Sequence, residues 1–276
     1  GDKVIIQQPV YDPFAELIKK TGRVMVNNGL ICNDGLYEMD FPLLEEQAAD
    51  PDAKIMILCS PHNPVGRVWT KEELARVGEI CKKNNVLVIA DEIHSDLVYA
   101  GYVHTPFALA SDAPHLVCTS LGKTFNVAGL RLANIFSSSA ELKKQYDQEI
   151  DAYSYSASNT FGLEMVQAAY SPEGEAWLEE LLVYLQGNVE VVSEWCQKHN
   201  VGFTAPQGTF LCWLDLGSAG LTDEEIIKKI IMGKEVICVP GPWFGKGGEG
   251  HLRLNIGCTR KTLVEALDRI ASVLNN

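Results

Sequence analysis

A lysine in a short turn, Lys123, is the residue whose position most clearly indicates chemistry. It lies in the segment Ser-Leu-Gly-Lys-Thr-Phe-Asn at residues 120–126, directly after an apolar run at residues 115–119 that is typical of a buried strand. A lysine between a buried strand and a turn of small residues is poorly solvated, and this favours the neutral amine, which can attack an aldehyde. The pattern Ser-x-x-Lys taken alone is also common in surface loops.

Two further polar side chains follow predicted strands in the same way. Asp91 ends the apolar run at residues 86–90, and Asn63 follows the run at residues 54–59. Because ligands bind at the carboxyl ends of strands in a mostly parallel sheet, we expect Asn63, Asp91 and Lys123 to share one edge. Taken singly, Asp91 could cap the turn after its strand, and Asn63 could belong to a simple Asn-Pro turn.

Arg253 is the cation that most needs an anion. It lies between Leu252 and Leu254 in a predicted strand, where a charged group with apolar neighbours requires a partner of opposite charge. A planar guanidinium binds a carboxylate through two parallel hydrogen bonds, so the α-carboxylate of an amino acid would suit it. The alternative is a structural ion pair with a buried Asp or Glu.

These segments together resemble the fold-type I pyridoxal 5'-phosphate (PLP) enzymes, the aspartate aminotransferase-like superfamily. Three segments carry the resemblance: Cys-Ser-Pro-His-Asn-Pro-Val-Gly-Arg-Val-Trp at residues 59–69, Asp-Glu-Ile-His-Ser-Asp-Leu at 91–97 and Lys-Thr-Phe-Asn-Val-Ala-Gly-Leu at 123–130. The sequences of these segments are most similar to those of the MalY/PatB branch, the cystathionine β-lyase or C–S lyase group. The resemblance covers the whole chain.

The resemblance implies a role for each of these candidates. Lys123 would bond to the aldehyde of the cofactor and, once displaced by substrate, would move the substrate's α-proton. Asp91 would pair with the pyridine nitrogen and keep it protonated, and Asn63 would donate to the phenolate oxygen. Arg253 would bind the carboxylate of the substrate.

Three more positions match cofactor-binding positions of the family, and a fourth candidate, His94, departs from the family pattern. Tyr11 matches the side chain that stacks on the pyridine face, and Ser120 and Arg131 match phosphate ligands. Taken alone, a Pro-x-Tyr segment would belong to the core or a turn, and a lone arginine to the surface. His94 departs from the commoner pattern, which has tyrosine three residues after the aspartate; its imidazole could approach the ring or the phenolate oxygen.

The order of predicted elements indicates an α/β protein. Strands alternate with helices through the first two thirds, which predicts a mostly parallel sheet with helices on both faces. A capping box at residues 70–73 opens one helix and another at residues 222–225 opens a second. The pattern breaks near Pro172, before a long amphipathic helix at residues 177–199 and short strands at 210–215, 236–239 and 252–255.

The resemblance makes this fold more specific. It implies a PLP-dependent transferase-like fold with a sheet of the seven-stranded type and a smaller C-terminal α+β domain. We predict a large PLP-binding domain at residues 1–172 and a small domain at residues 173–276, opened by the long helix. The family has a long stretch before residue 1, so the sequence is expected to be truncated at its N-terminus.

Composition and charge narrow the function classes. The 276 residues are 46% hydrophobic and 21% charged, as in an ordinary globular protein with room for a large core. The net charge of −13 argues against nucleic acid and against an anionic membrane surface, and no apolar run approaches the roughly 18 residues that span a bilayer. Eight dispersed cysteines, without a Cys-x-x-Cys pair, favour free thiols in the cytoplasm, and we expect no metal site.

Three functions fit this reading. The first is a C–S β-lyase that converts cysteine thioethers to pyruvate, ammonia and a thiol, with Trp69, Trp213 and Trp243 as candidate apolar lining near the sulfur. The second is an aminotransferase, which would use the same residues. The third is a regulatory or inactive binding protein of the same fold. The resemblance implies a small amino-acid substrate and a homodimer with a shared active site.

Overall fold

The computed structural model describes residues 1–33, 35–155 and 159–274. Within these ranges the strands are β1 Lys3–Ile6, β2 Val24–Asn27, β3 Ile31–Asn33, β4 Leu36–Glu38, β5 Ala53–Cys59, β6 Leu87–Asp91, β7 His115–Thr119, β8 Asn134–Ser137, β9 Gly202–Phe203, β10 Leu211–Asp215, β11 Val239–Pro240 and β12 His251–Asn255. The helices are α1 Pro13–Lys20, α2 Phe41–Ala48, α3 Lys71–Lys83, α4 Phe107–Ala110, α5 Leu121–Thr124, α6 Ala140–Ala152, α7 Thr160–Ala169, α8 Pro172–His199, α9 Asp223–Glu225 and α10 Arg260–Leu274.

The larger sheet has six strands in the order β2-β1-β5-β6-β7-β8. Every neighbouring pair is parallel except β7 and β8, which run antiparallel. The strands predicted at residues 54–59, 86–90 and 115–119 correspond to β5, β6 and β7, with ends that agree within one residue. The mostly parallel α/β architecture is therefore confirmed. The resemblance implied a sheet of the seven-stranded type, and six strands of this sheet lie in the described ranges.

Helices cover both faces of this sheet because successive side chains of a strand point to opposite faces. In β1, Val4 and Ile6 join a cluster with Ala15 and Ile18 of α1. Ile5, between them, joins the cluster on the other face, which contains buried residues of α2 and α3. The central strand β5 alternates in the same way, so the continuous apolar run at residues 54–59 reflects burial on both faces.

The capping box before α3 is confirmed. The amide of Glu73 donates to the Thr70 hydroxyl at 3.2 Å, and the Glu73 carboxylate accepts from the Thr70 amide at 2.7 Å. The second box, at residues 222–225, is also present and opens α9, which continues as a π-helical segment, Ile226–Met232. These local patterns could be predicted because each needs only a hydroxyl and a carboxylate three residues apart.

The second lobe is an antiparallel sheet, β11-β12-β10-β9, packed against α8 and α10. The long helix starts at Pro172 and not at residue 177, because Ser171 caps it and a proline is well accommodated in a first turn. Most of the predicted strand at residues 236–239 lies outside β11, Val239–Pro240. The domain boundary between residues 172 and 173 falls in the first turn of α8 and stays a prediction. In the described part of the chain no helix could cross a membrane.

Candidate active site

Three neighbouring strand ends carry the polar residues that the sequence singled out. Asp91 is the last residue of β6 and pairs in register with Cys59 of β5 on one side and Cys118 of β7 on the other. Asn63 and Lys123 lie in the turns that follow β5 and β7. The three side chains therefore share one edge of the sheet, as expected from a parallel arrangement.

Lys123 is held in a single helical turn, α5, whose geometry is fixed on both sides. The Ser120 hydroxyl caps this turn by accepting from the Gly122 amide at 3.0 Å, and it donates to the Leu132 carbonyl at 2.7 Å. A Cβ atom on Gly122 would lie only 3.0 Å from the Ser120 hydroxyl and 3.2 Å from the Ala128 backbone. The small residue is needed for this close approach, and the half-buried Lys123 is thereby placed against the sheet edge.

Asp91 is half-buried, and its surroundings change the pKa of its carboxyl group. Burial raises the pKa of Asp91 from 3.8 to about 6. A hydrogen bond from the Ile93 amide and the nearby charge of Lys123 both act in the opposite direction. The Ile93 amide donates to the carboxylate at 3.3 Å, and no other hydrogen bond to that side chain occurs among the described residues. A carboxylate desolvated in this way pairs readily with a protonated group brought to it.

Arg253 joins the two lobes at the same edge. From β12 its guanidinium donates to the Asn63 side-chain oxygen at 2.9 Å and lies 4.8 Å from the Phe244 ring centroid. Burial lowers the pKa of Arg253, and Tyr11 opposes this. No carboxylate of the described residues forms an ion pair with it. The alternative of a structural ion pair is therefore absent from this part of the chain, and the cation is available for a ligand.

An aromatic support behind Arg253 could not be recognised in the sequence. Phe244 meets Trp213 edge to face at 5.2 Å, and the Trp213 indole donates to the Tyr37 hydroxyl at 3.0 Å. The three aromatic side chains come from three separate parts of the chain. Trp213, expected as lining near a thioether, is instead a buried part of this support.

His94 is buried beside the charged residues and lies edge to face with Phe210 at 5.6 Å. Burial and the positive charges of Lys123 and Arg253 lower the pKa of His94 to about 3, so the imidazole is neutral. Its Nδ1 atom has no hydrogen-bond partner among the described residues. A buried ring nitrogen without a partner indicates that a ligand or ordered water completes the site.

The remaining candidates lie around this edge and differ in their burial and in the contacts that hold them. Tyr11 is half-buried and packs edge to face on Phe14 at 5.6 Å. The His62 ring bonds to the Pro9 carbonyl at 2.9 Å, and this contact ties the turn of Asn63 to the segment before Tyr11. Arg131 is exposed, in a left-handed conformation with φ of 49°, and makes no side-chain hydrogen bond within the described ranges.

The residues at this edge fit a PLP molecule. Asp91 is a desolvated carboxyl suited to a protonated ring nitrogen, and Arg131 is a cation without a partner in the described part of the chain. The Asn63 amide nitrogen and His94 Nδ1 likewise make no hydrogen bond among the described residues. The exception is Ser120, whose proton is donated to Leu132, so its hydroxyl would have to turn to reach a phosphate.

A cavity of about 350 Å³ adjoins this edge and includes Lys123 in its wall. Its other lining residues, which sequence reasoning missed, include Trp177, Tyr184, Phe210, Asn255 and Cys258. Asp91, Asn63 and Arg253 lie outside this lining. The cavity therefore extends from the lysine away from the carboxyl and the guanidinium.

None of the three tryptophans expected near a substrate lines this cavity, and Trp213 lies in the support behind Arg253. Trp69 is only 1% exposed in the large core, where its indole donates to the Cys59 carbonyl at 2.9 Å. Trp243 is 63% exposed on the surface. The indole that does reach the cavity belongs to Trp177, in the first half of α8.

Known proteins share both the sequence and the fold. Residues 1–270 match the family described as aminotransferase class I and II. The chain is 38% identical to cystathionine beta-lyase PatB of Bacillus subtilis over 280 residues, covering 100% of this chain and 72% of that protein. Cystalysin from Treponema denticola, which contains a pyridoxal 5'-phosphate cofactor, superposes with a TM-score of 0.95 at 32% identity, over 100% of this chain and 71% of that one.

A second solved structure gives the same result. The PLP-bound C-S lyase from Staphylococcus hominis superposes with a TM-score of 0.92 at 33% identity, and the match covers 100% of this chain and 71% of that one. Similarity therefore extends over the whole of the present chain. The matched region contains the residues of the sheet edge and of the cavity beside Lys123.

Proposed function

Because the chain belongs to the class I and II aminotransferase family, we propose that it acts as a PLP-dependent C–S β-lyase on cysteine thioethers. The products are pyruvate, ammonia and a thiol, with water consumed. The observation that carries the proposal is the meeting of Asn63, Asp91, Lys123 and Arg253 at one sheet edge in a chain similar to PatB and to a C-S lyase.

PLP is the cofactor, and the residues at the sheet edge would hold it. Asp91 would hold the ring nitrogen, Asn63 the phenolate oxygen and Tyr11 the ring face. Arg131 and Ser120 would hold the phosphate, with His94 beside the ring. When bound, PLP supplies an electron sink for the negative charge left at the substrate's α-carbon.

The chain's own groups divide the reaction between them. Arg253, steadied by Asn63 and Phe244, binds the substrate's carboxylate and so fixes the position of the α-carbon. The Lys123 amine takes the α-proton, and the bond between the β-carbon and sulfur then breaks as the thiolate leaves. The neutral imidazole of His94 adds no positive charge that would compete with the protonated groups.

The type of reaction can be tested with the full-length protein that contains this chain. With L-cystathionine and PLP, we expect pyruvate and a thiol to be released without any added 2-oxo acid. The physical reason is that elimination needs only the lysine base and a leaving group on the β-carbon. A pyruvate assay and a thiol assay on the same sample should give equal amounts of the two products.

An aminotransferase would give the opposite pattern. Transamination requires a 2-oxo acid acceptor and leaves the cofactor in its amine form, which absorbs at a different wavelength. Stoichiometric amino transfer to 2-oxoglutarate, with no thiol released from any cysteine thioether, would overturn the lyase and support the aminotransferase. Neither activity, despite bound cofactor, would support the regulatory protein.

Arg253→Lys tests the carboxylate anchor. We expect KM for the amino acid to rise about tenfold or more, because a point charge replaces a planar donor that makes two parallel hydrogen bonds. Arg269→Lys is the matched control, since Arg269 forms an exposed pair with Glu265 at 2.7 Å in α10. If Arg253→Lys binds substrate as tightly as the parent, the anchor lies elsewhere.

The assembly and location are further proposals. A homodimer is supported by large apolar side chains left on the surface, among them Tyr153, Tyr155 and Phe161, each more than 70% exposed. Light scattering on the full-length protein would show a mass of one subunit if this is wrong. A reducing cytoplasm is supported by the eight cysteines, all of which are free thiols.

A further inference from the structure

The cavity beside Lys123 is linked to the proposed carboxylate anchor, Arg253, through strand β12. Arg253 and Asn255 are two residues apart in β12, so their side chains lie on the same face, about 7 Å apart along the strand. Arg253 marks the carboxylate end of the substrate, while Asn255 lines the cavity. An amino acid held by Arg253 with its α-carbon at Lys123 therefore has this cavity beside it.

The described residues that line the cavity include no carboxylate that could pair with a second ammonium group. Lys123 is the only charged side chain among the described residues that line it, and no carboxylate contributes to the wall. Arg260 lies nearby, but its guanidinium donates to the Asn188 side chain and to the Tyr184 carbonyl. An ammonium placed here would lose water without gaining a carboxylate from the described lining, and a carboxylate would meet only Lys123, the lysine that the reaction itself needs; both are unfavourable.

The apolar wall is fixed by contacts of its own. Trp177 stacks on Phe125 with ring centroids 5.4 Å apart, and Phe125 is two residues after the catalytic lysine. The Phe210 ring packs edge to face against His94, and Phe210 directly follows Thr209, a fully buried residue in a left-handed conformation with φ of 72°. A β-branched residue is strained in that conformation, and such strain is typical of backbone that positions a functional side chain.

We propose that the Lys123 cavity binds the sulfur substituent of the substrate and selects an uncharged aromatic or alkyl thioether over cystathionine. This inference rests on the proposed function for its reaction, but the binding preference itself does not depend on elimination. Cystathionine carries an ammonium and a carboxylate on its distal half. An S-benzyl group has only apolar surface and matches a wall that includes Trp177, Tyr184 and Phe210.

The kinetic test compares S-benzyl-L-cysteine, S-methyl-L-cysteine and L-cystathionine with the PLP-loaded full-length protein. We expect kcat/KM for the benzyl substrate to exceed that for cystathionine by about tenfold or more, since buried apolar contacts discriminate on this scale. Trp177→Ala should lower the benzyl value by about tenfold and leave the methyl value within about twofold. Trp243→Ala, outside the cavity lining, is the control and should change none of them.

A binding test separates the cavity from the chemistry. The probe 3-(benzylthio)propanoate keeps the carboxylate and thioether of the benzyl substrate but lacks the amino group, so it cannot react. We expect it to bind about tenfold more tightly than 3-(methylthio)propanoate, measured by quenching of tryptophan fluorescence, and Leu181→Ala should reduce this advantage. Leu181 also lines the cavity and serves if Trp177→Ala does not fold.

The outcomes distinguish the two proposals. Tight binding of the benzyl probe without thiol release from any thioether supports the cavity and overturns the lyase. Thiol release with cystathionine preferred, or with Trp177→Ala affecting all three substrates equally, supports the lyase and overturns the cavity. Equal binding of the two probes also overturns the cavity.

Discussion

Replacing Lys123 with alanine is expected to lower kcat/KM for thioether cleavage by about 10⁴-fold or more, which corresponds to at least about 5 kcal/mol of transition-state stabilisation. Lys123 is the only amine among the described residues that line the cavity, so no neighbouring base can replace it. In the parent protein, reduction with borohydride followed by peptide mapping should place the pyridoxyl label on Lys123. Together, the position of the label and the loss of activity in Lys123→Ala would show that one lysine both bonds to the cofactor and acts as the base.

Two further variants separate the amine from its charge. Lys123→Arg keeps a positive charge at the edge but has no neutral amine, so its activity should be as low as that of Lys123→Ala. Lys229→Ala is the control, because Lys229 lies on the surface in a pair with Glu225 and should behave as the parent does. Label on another lysine, or activity within tenfold of the parent in Lys123→Ala, would remove Lys123 from the mechanism.

The sheet edge could be predicted because its signals are local. A run of apolar residues covered on both faces identifies a buried strand, and β5, β6 and β7 each show one. The polar residue that follows such a run then lies at a known end of a parallel sheet. Asn63, Asp91 and Lys123 were found in this way, without knowledge of any contact between them.

The rest of the site depends on how the two lobes pack, which no local pattern records. The hydrogen bond from Arg253 to Asn63 joins residues 190 positions apart in the chain. Phe210 and Trp177 reach the cavity only because the small lobe and α8 close over Lys123. Trp69 was misread for the same reason: an indole beside a functional turn can point into the core, as this one does.

Asp91→Asn is expected to reduce turnover by about 10³-fold or more, or about 4 kcal/mol, while leaving the protein folded. A neutral amide cannot keep the ring nitrogen of PLP protonated, and the electron sink is lost with that charge. Turnover of thioether by PLP-loaded variant and parent, compared at saturating substrate, measures the effect. Asp112→Asn is the control, because Asp112 forms only an exposed pair with Lys82 and should not change the rate.

The same substitution should stabilise the protein prepared without cofactor, because burial disfavours the ionised carboxylate of Asp91 and a neutral amide carries no such cost. Burial raises the pKa of Asp91 from 3.8 to about 6. Below about pH 3 the carboxyl is neutral in both the folded and unfolded states, so variant and parent should unfold at the same denaturant concentration. Between pH 4 and 6 only the unfolded state ionises, and the parent therefore loses stability relative to the variant as pH rises.

Above pH 6 the carboxyl ionises in both states, and the difference should stay constant at no more than about 3 kcal/mol in favour of Asp91→Asn. Urea unfolding at about pH 3 and at about pH 7.5, monitored by circular dichroism, gives the two values. Saturating PLP should reduce this difference in the free energy of unfolding. A protonated ring nitrogen would stabilise the parent's buried carboxylate but not the variant's neutral amide. A variant that is less stable than the parent at pH 7.5 would mean that Asp91 supports the fold, and its loss of activity would then say nothing about the cofactor.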